Sequence, residues 1–230
     1  MGRARASAVV VAAGAGTRLG ADEPKSLLEI GGRTIVAVAV GAVVASPAID
    51  DVVVAAPLGF EDRVLAALSE LDSPIAVVSG GETRQRSVAV ALQAVSAASE
   101  IVVIHDAARP FASPDLFTAV VQAVASGADG AVPILPLTDT VKRVRGDLVV
   151  QTEVREELGL AQTPQACRAD VLRAALERAA DAGLDFTDDA GLLEWMGATV
   201  RAVPGEPGNF KITTLLDLLR ADELLRGGVD

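Results

Sequence analysis

Short runs of consecutive apolar, mostly β-branched residues recur along the chain, and segments long enough for helices separate them. The runs are Ala8–Val11, Asp51–Ala56, Ile75–Val78, Ile101–His105, Gly130–Ile134 and Ala198–Val203. Continuous apolar character, rather than alternation, is typical of strands that are covered on both faces. The pattern therefore predicts an α/β fold, a three-layer sandwich built on a mostly parallel, Rossmann-like sheet.

The separating segments have the alanine and leucine content and the apolar spacing of helices. They are Phe60–Leu71, Arg84–Ala97, Pro114–Ala125, Ala169–Ala182 and Leu215–Leu225. Two of them carry start signals: Ser113 precedes Pro114 as an N-cap, and Thr214 with Asp217 resembles a capping box. The valine alternation in Ile35–Ala45 is compatible with a strand, but a segment between two parallel strands must cross over, so we predict a helix.

Residues 138–150 form two short β-like runs around a Gly146–Asp147 turn, which predicts a projecting hairpin. An isolated hairpin is marginal in water, so we expect this arm to pack on something, and a second subunit is the natural candidate. The chain shows no linker, repeat or low-complexity segment. We therefore predict one domain over residues 1–230, with a dimerisation arm inserted at about residues 137–157.

Charge and cysteine content narrow the possible partners and the compartment. The net charge of −11 and the pI near 4.6 argue against a long phosphate-neutralising contact with nucleic acid or an anionic membrane. Cys167 is the sole cysteine, which suits a reducing compartment. The longest apolar stretch, Ile35–Ala45, is far shorter than the roughly 20 residues that span a bilayer. We expect a cytoplasmic protein with neither a nucleic-acid nor a membrane partner.

The glycine-rich stretch Ala12–Gly20 follows the first predicted strand and leads to Lys25. It is not a dinucleotide fingerprint, because Leu19 stands where the third glycine is needed, and no glycine immediately precedes Lys25 as a P-loop requires. A strand that opens into such a loop delivers backbone N–H groups to an anion. With Arg18 and Lys25 added, the stretch predicts a site for a phosphate-bearing ligand.

Further candidates for the site are rare lysines and polar residues that follow a buried strand. Lys25, Lys142 and Lys211 are the lysines of a chain whose other basic residues are arginines, and Lys25 and Lys211 lie in Gly/Pro-flanked segments typical of ligand loops. Asp106 and Arg109 follow a buried strand, so they would face the same crevice. Asp106 beside a triphosphate would act through Mg²⁺, or else would cap a helix and pair with Arg109.

Two more features of the sequence have both a structural and a functional interpretation. The Gly80–Gly81 loop and Ser87 could contact the edge of a base, or could simply begin a helix. His105 follows four apolar residues and has no metal-ligand partner in the pattern, so we predict a structural role for it.

These motifs, in this order, resemble the family of 2-C-methyl-D-erythritol 4-phosphate cytidylyltransferases of the non-mevalonate isoprenoid pathway. The resemblance rests on Ala12-Ala13-Gly14-x-Gly16-x-Arg18-x-Gly20, Pro24-Lys25, Gly80-Gly81, His105-Asp106-Ala107-Ala108-Arg109-Pro110, Thr163-Pro164-Gln165, Thr187-Asp188-Asp189-Ala190 and Asn209-x-Lys211-Ile212-Thr213. It implies a fold of the nucleotide-diphospho-sugar transferase type. It also implies a homodimer whose arm contributes Arg155 and Thr163 to the neighbouring site, so that the active site is shared across the interface.

The resemblance further implies a role for each matching residue. The CTP-binding residues would be Ala12, Ala13, Gly14, Gly16, Gly80, Gly81, Ser87 and Ala107. The polyol phosphate would meet Asp106, Arg109, Arg155, Thr163, Thr187 and Lys211. The catalytic residues would be Arg18, Lys25, Arg155 and Lys211.

The implied reaction is transfer of CMP from CTP to 2-C-methyl-D-erythritol 4-phosphate, with Mg²⁺ or another divalent cation bridging the phosphates and pyrophosphate leaving. The matched motifs do not identify direct metal ligands. A cytidylyltransferase of the same fold acting on ribitol 5-phosphate is the nearest alternative. A non-catalytic nucleotide-binding subunit is an alternative from another class, although such a module has little need for four cations at one site.

Overall fold

The computed structural model describes residues 3–14 and 23–227, and this part of the chain alternates strands with helices. The strands are β1 (Ala6–Val11), β2 (Glu29–Ile30), β3 (Arg33–Thr34), β4 (Asp51–Ala56), β5 (Ile75–Ser79), β6 (Ile101–Asp106), β7 (Gly130–Pro136), β8 (Lys142–Arg145), β9 (Leu148–Thr152), β10 (Gly159–Ala161), β11 (Gln165–Arg168) and β12 (Val200–Pro204). The α-helices are α1 (Ile35–Val44), α2 (Glu61–Ala67), α3 (Arg84–Ala94), α4 (Pro114–Ala125), α5 (Ala169–Asp181), α6 (Asp189–Trp195) and α7 (Leu215–Gly227). Single 3₁₀ turns cover Lys25–Leu27 and Arg155–Glu157.

An eight-stranded sheet forms the centre of the molecule, in the order β5-β4-β1-β6-β11-β7, with β12 and β10 also paired to β7. The pairs β1–β4, β1–β6, β4–β5 and β7–β12 are parallel, whereas β11 runs antiparallel between β6 and β7. Successive residues of β1 are buried on opposite faces: Val10 packs in one core cluster with α1 and α4, and Val9 in another with α3 and α5. The predicted three-layer α/β fold is confirmed.

The predicted helix starts are confirmed in detail. Ser113 Oγ accepts a hydrogen bond from Leu116 N at 3.1 Å, with Pro114 in the first turn. Thr214 Oγ1 accepts from Asp217 N at 3.2 Å while Asp217 Oδ2 accepts from Thr214 N at 2.8 Å, which is a reciprocal capping box. The ambiguous segment is indeed helix α1, which begins where Thr34 caps it.

Some element boundaries were wrong, and two strands of the central sheet were not predicted. Helix α2 ends at Ala67 and α3 at Ala94, earlier than their apolar patterns indicated. Strands β10 and β11 have 3 and 4 residues, and neither has a β-branched run that would mark it. They are strands because β6 and β7 supply their hydrogen-bonding partners.

The arm is a separate antiparallel hairpin of β8 and β9, in which Gly146 takes the positive φ of 63° that the turn requires. Its apolar side chains are exposed, among them Val144, Leu148 and Val149. Among the described helices, none is both long enough and apolar enough to cross a membrane.

Candidate active site

A cavity of about 370 Å³ opens at the carboxyl ends of β1 and β6, beside the loop that follows β5. This is the edge at which ligands bind in open α/β sheets, and the volume suits a small molecule. Its lining residues are Val11, Ala12, Ala13, Gly14, Lys25, Ser26, Gly81, Glu82, Thr83, Arg84, Ser87, Asp106, Ala107, Ala108, Lys211 and Thr213. Most residues of the predicted nucleotide and catalytic sets therefore lie around one cavity.

Backbone hydrogen bonds hold the predicted nucleotide wall at the ends of four strands. Ala12 N donates to Ala55 O at 2.9 Å, and Ala107 N donates to Val11 O at 3.0 Å. Gly80 N donates to Ala56 O at 2.7 Å, and a Cβ on Gly80 would lie only 2.3 Å from the Cβ of Ala13. Gly80 is thus required by the close approach of two strand ends. The predicted residues Gly16 and Arg18 lie outside the described residues.

The loop after β5 is shaped by Ser87, whose side chain is almost fully buried. Ser87 Oγ accepts from Gly81 N at 3.0 Å and donates to Thr83 O at 2.9 Å. Thr83 in turn caps α3 by accepting from Arg86 N at 3.2 Å. The segment is therefore a helix N-terminus that also lines the cavity. Contact between Ser87 and a base stays a prediction.

A chain of alternating charges crosses one side of the cavity. Arg84 donates from Nε to Asp106 Oδ1 at 3.0 Å and from Nη2 to Asp189 Oδ2 at 2.7 Å. Lys211 Nζ donates to the other oxygen of Asp106, Oδ2, at 2.7 Å. The four side chains come from β6, α3, α6 and the loop before α7, so the fold itself creates this arrangement.

The pKa values of Asp106 and Asp189 shift in opposite directions, because Asp106 binds two cations and Asp189 binds one. Burial alone would raise the pKa of Asp106, but Arg84 and Lys211 together hold it well below its usual range. At Asp189, burial raises the pKa despite the hydrogen bond from Arg84. Arg84 remains charged, since the two carboxylates raise its pKa against the opposing effect of burial.

Arg84 is a site residue that the sequence did not reveal, and it binds Asp106 where a pairing with Arg109 was the predicted alternative. The alternative for Asp106, an ion pair with Arg109, is wrong: Arg109 instead donates to Asn209 O at 2.9 Å and to Ala161 O at 3.3 Å. One signal was available for Arg84. It directly follows the capping residue of a helix at the carboxyl edge of the sheet, where cations serve anionic ligands.

Lys25 and Lys211, the two lysines that the sequence places in ligand-type loops, both line the cavity. Lys25 Nζ donates to Ile212 O at 3.0 Å, next to Lys211 along the chain. The loop of Lys211 is anchored from below by buried amides. Gln162 Nε2 donates to Glu206 O at 2.9 Å, and Asn209 Nδ2 donates to Thr163 O at 2.8 Å. Sequence reasoning missed the role of Gln162.

Thr163 and His105 lie beneath Asp106 and are buried. His105 Nε2 lies 3.0 Å from Arg109 O, a carbonyl that can only accept, so Nε2 carries the proton. Thr163 Oγ1 then donates to His105 Nδ1 at 3.2 Å while it accepts from Asp106 N at 3.0 Å. Burial lowers the pKa of His105 to about 4, which keeps the ring neutral. The predicted structural role of His105 agrees with this arrangement.

Four residues of the predicted substrate set do not line the cavity. Arg155 lies on the arm, where Nη1 donates to Thr138 O at 2.7 Å. Thr187 is exposed beside the N-terminus of α6, Thr163 is covered, and Arg109 is bound to backbone carbonyls. Their contacts with substrate stay predictions.

The described residues do not form a metal cage. Within residues 3–14 and 23–227, no group of three or more His, Cys, Asp or Glu side chains is placed to hold a metal ion. Asp106 faces the cavity, but both of its oxygens already accept hydrogen bonds from cations. Mg²⁺ typically takes one or two carboxylates together with substrate phosphates, so a metal here would rely on the phosphates.

Comparison with known proteins places this geometry in a family. The model of the IspD family, 2-C-methyl-D-erythritol 4-phosphate cytidylyltransferase, matches residues 6–227. A protein of that name from Rhodococcus opacus is 43% identical over 228 residues, covering 99% of this chain and 98% of its own length. A bifunctional enzyme IspD/IspF from Anaeromyxobacter is also 43% identical, over 98% of this chain, but the chain spans only 58% of its length.

A solved structure agrees with the sequence matches. The 4-diphosphocytidyl-2C-methyl-D-erythritol synthase from Anaerococcus prevotii superposes with a TM-score of 0.86 at 31% identity, covering 97% of this chain and 96% of that one. Both the sequence and the fold thus match over nearly the whole length. The chain belongs to the family of 2-C-methyl-D-erythritol 4-phosphate cytidylyltransferases.

Proposed function

We propose that this protein transfers CMP from CTP to 2-C-methyl-D-erythritol 4-phosphate, giving 4-diphosphocytidyl-2-C-methyl-D-erythritol and pyrophosphate for isoprenoid precursor synthesis. The observation that carries the proposal is the convergence of Lys25, Lys211 and Asp106 on one cavity that glycine-rich backbone also lines. Cations and backbone N–H groups suit a reaction between phosphates. The relatives named above carry this activity in their names, which supports it for the present chain.

CTP would lie against the wall formed by Ala12–Gly14, Gly80–Gly81 and Ala107. This wall offers backbone groups at close range, because small residues line it. With Tyr absent and aromatic residues at only 3% of the chain, base recognition would depend on hydrogen bonds rather than on stacking. The loop closed by Ser87 supplies such groups.

The chemistry requires no general base from the protein. A phosphate monoester is largely dianionic near neutral pH, since its second pKa lies near 6. One of its oxygens attacks the α-phosphorus of CTP in line, the new P–O bond forms, and the bond to the β-phosphate breaks with its electron pair leaving on pyrophosphate. Lys25 and Arg18 would stabilise the charge of the transition state, while Lys211 and Arg155 would hold the attacking phosphate.

We propose Mg²⁺ as the divalent cation of the reaction, held chiefly by the nucleotide phosphates because the described residues form no cluster for it. When bound, it would neutralise phosphate charge. The prediction is that EDTA abolishes pyrophosphate release and that added Mg²⁺ restores it. Activity that persists in excess EDTA would contradict the requirement.

We also propose a homodimer formed through the arm, with Arg155 reaching the partner's cavity. The support is the row of exposed apolar side chains on β8 and β9, together with the fact that Arg155 does not line the cavity of its own chain. Thr163, which the resemblance also assigns to the neighbouring site, accepts a hydrogen bond from Asp106 N of its own chain, and its contribution to a partner's site stays a prediction. We propose the cytoplasm as the protein's location, because a single buried cysteine suits a reducing compartment.

The test is release of pyrophosphate from CTP with 2-C-methyl-D-erythritol 4-phosphate or ribitol 5-phosphate, each at matched concentration. We expect kcat/KM to be about a hundredfold higher for the methylerythritol substrate. Preference for ribitol 5-phosphate would contradict the proposed substrate and identify a ribitol-5-phosphate cytidylyltransferase instead. Binding of CTP without turnover of either polyol phosphate would contradict the enzyme hypothesis and support the alternative of a non-catalytic nucleotide-binding subunit.

A further inference from the structure

Arg84 forms ion pairs with two carboxylates, and the proposed reaction has not yet assigned it a role. Its guanidinium binds Asp106 on β6 and Asp189 at the start of α6, at 3.0 and 2.7 Å. The side chains of Asp106 and Asp189 are 11% and 4% exposed, so the pairs lie largely away from solvent. Arg84 itself lines the cavity.

The four side chains linked by these ion pairs carry two positive and two negative charges, and Lys211 is the member most accessible to a ligand. Asp189, Arg84, Asp106 and Lys211 carry alternating signs, and Lys211 is the most exposed of them at 39%. An ammonium group has three donors, so Lys211 can bind Asp106 and a phosphate together. Asp106 must then stay neutralised, because an unpaired carboxylate beside the phosphate would repel it and would hold Lys211 more tightly.

We propose that Arg84 is a positioning residue for the substrate's phosphate. By occupying Oδ1 of Asp106 it neutralises that carboxylate and leaves Lys211, on Oδ2, available to the phosphate. This inference rests on the proposed function, since it takes the phosphate of the polyol as the ligand of Lys211. A guanidinium suits the task because its separate N–H groups bind two carboxylates at once, which a lysine ammonium does with less geometric definition.

Simple removal of Arg84 would leave Asp189 buried without a counter-charge and would destabilise the fold. The test therefore uses Arg84→Gln in an Asp189→Asn background, with Asp189→Asn alone as the matched reference. Because Arg84→Gln also removes one cation from the buried Asp106, guanidinium-chloride unfolding of both variants identifies the conditions in which each is fully folded, and binding is measured there. Calorimetry then gives the Kd of 2-C-methyl-D-erythritol 4-phosphate, and steady-state kinetics give KM for each substrate.

We expect the double variant to bind the polyol phosphate about tenfold more weakly than Asp189→Asn, with a KM for CTP changed far less. Arg84→Lys in the same background restores a cation beside Asp106, so it should recover part of this loss. A role limited to balancing Asp189 would leave Kd equal in the double variant and its reference, and that result overturns the inference.

The same measurements separate this inference from the proposed function. Wild-type binding without pyrophosphate release would contradict the proposed function alone. Turnover by the wild type together with an unchanged Kd in the double variant would contradict the positioning role alone. A wild-type chain that binds no polyol phosphate would overturn both.

Discussion

The buried side-chain amide of Asn209 donates a hydrogen bond to the backbone carbonyl of Thr163 at 2.8 Å. Asn209 precedes Lys211 by two residues, and Thr163 supports the backbone N–H of Asp106. This amide therefore joins the loop that brings the lysine to the cavity with the strand end that brings the aspartate, beside the bonds from Gln162 and Arg109 to the same loop. The junction supports the ion pair between Lys211 and Asp106.

Replacing Asn209 with Ala should both destabilise the protein and reduce its activity. The Thr163 carbonyl would lose its partner in a buried position, which costs about 1 to 3 kcal/mol of unfolding free energy. Urea unfolding measures the cost, and kcat/KM for the polyol phosphate reports the displaced Lys211. Gln122→Ala removes an exposed amide on α4 and is the control. Equal stability of the two variants would show that the junction contributes nothing.

Replacing Lys25 with Ala should lower kcat by on the order of 10² or more, because a cation aimed at the reacting phosphates stabilises the transition state. Arg201→Ala is the control, since Arg201 is an exposed cation on β12, outside both the cavity lining and the arm. Pyrophosphate release under saturating substrates gives kcat directly. A kcat equal to that of wild type would remove Lys25 from the catalytic set.

Two glycine substitutions on the nucleotide wall should have opposite signatures. Gly80→Ala places a Cβ 2.3 Å from the Cβ of Ala13 and should lower the unfolding free energy. A Cβ at Gly14 meets no atom of residues 3–14 and 23–227 within 4 Å, so we expect Gly14→Ala to leave stability unchanged. If CTP approaches the backbone at Gly14, the added methyl group will nevertheless raise KM for CTP. An unchanged KM in Gly14→Ala would place the nucleotide elsewhere.

Much of the fold and part of the site were accessible from sequence for a physical reason. Strands buried on both faces must be continuously apolar, and the carboxyl ends of parallel strands must meet at one edge. These constraints predicted most of the sheet and the meeting of the loop after β1 with Asp106, while the family resemblance added Lys211 to the same cavity.

The parts that were missed depend on contacts between distant segments. Arg84 joins α3 to β6 and α6 across 22 and 105 positions of sequence, and no local pattern encodes such a choice of partner. Strand β11 is equally non-local, because its four residues acquire strand geometry from β6 and β7. A short polar segment such as Thr163–Gln165 gives no periodicity to detect.

His105 should make stability depend on pH in a defined window. Its pKa is about 4 in the fold and about 6.5 in an unfolded chain, so the unfolded state binds more protons between these values. The contribution is therefore fully present above pH 6.5 and is lost as the pH falls toward 4, by about 3 kcal/mol in total.

The sequence contains a single histidine, so its imidazole signals in an NMR titration report this group alone. His105→Gln should flatten the pH dependence of unfolding free energy in the same window, relative to wild type. Carboxylates titrate in both proteins and cancel in the difference. An imidazole that titrates near 6.5 in the folded protein would refute the prediction.

The arm should control the oligomeric state, because its apolar side chains have little to cover them within one chain. Val149 on β9 is 64% exposed, and Leu58, after β4, is 80% exposed but lies outside the arm. We expect Val149→Arg to dissociate a dimer, as judged by light scattering, and Leu58→Arg to leave it intact. If Arg155 serves the partner's cavity, the dissociated variant will also lose pyrophosphate release while its far-ultraviolet circular dichroism stays that of Leu58→Arg, which shows that the monomer is folded. A monomeric wild type, or a Val149→Arg monomer with full activity, would mean that each chain completes its own site and that the arm serves another purpose.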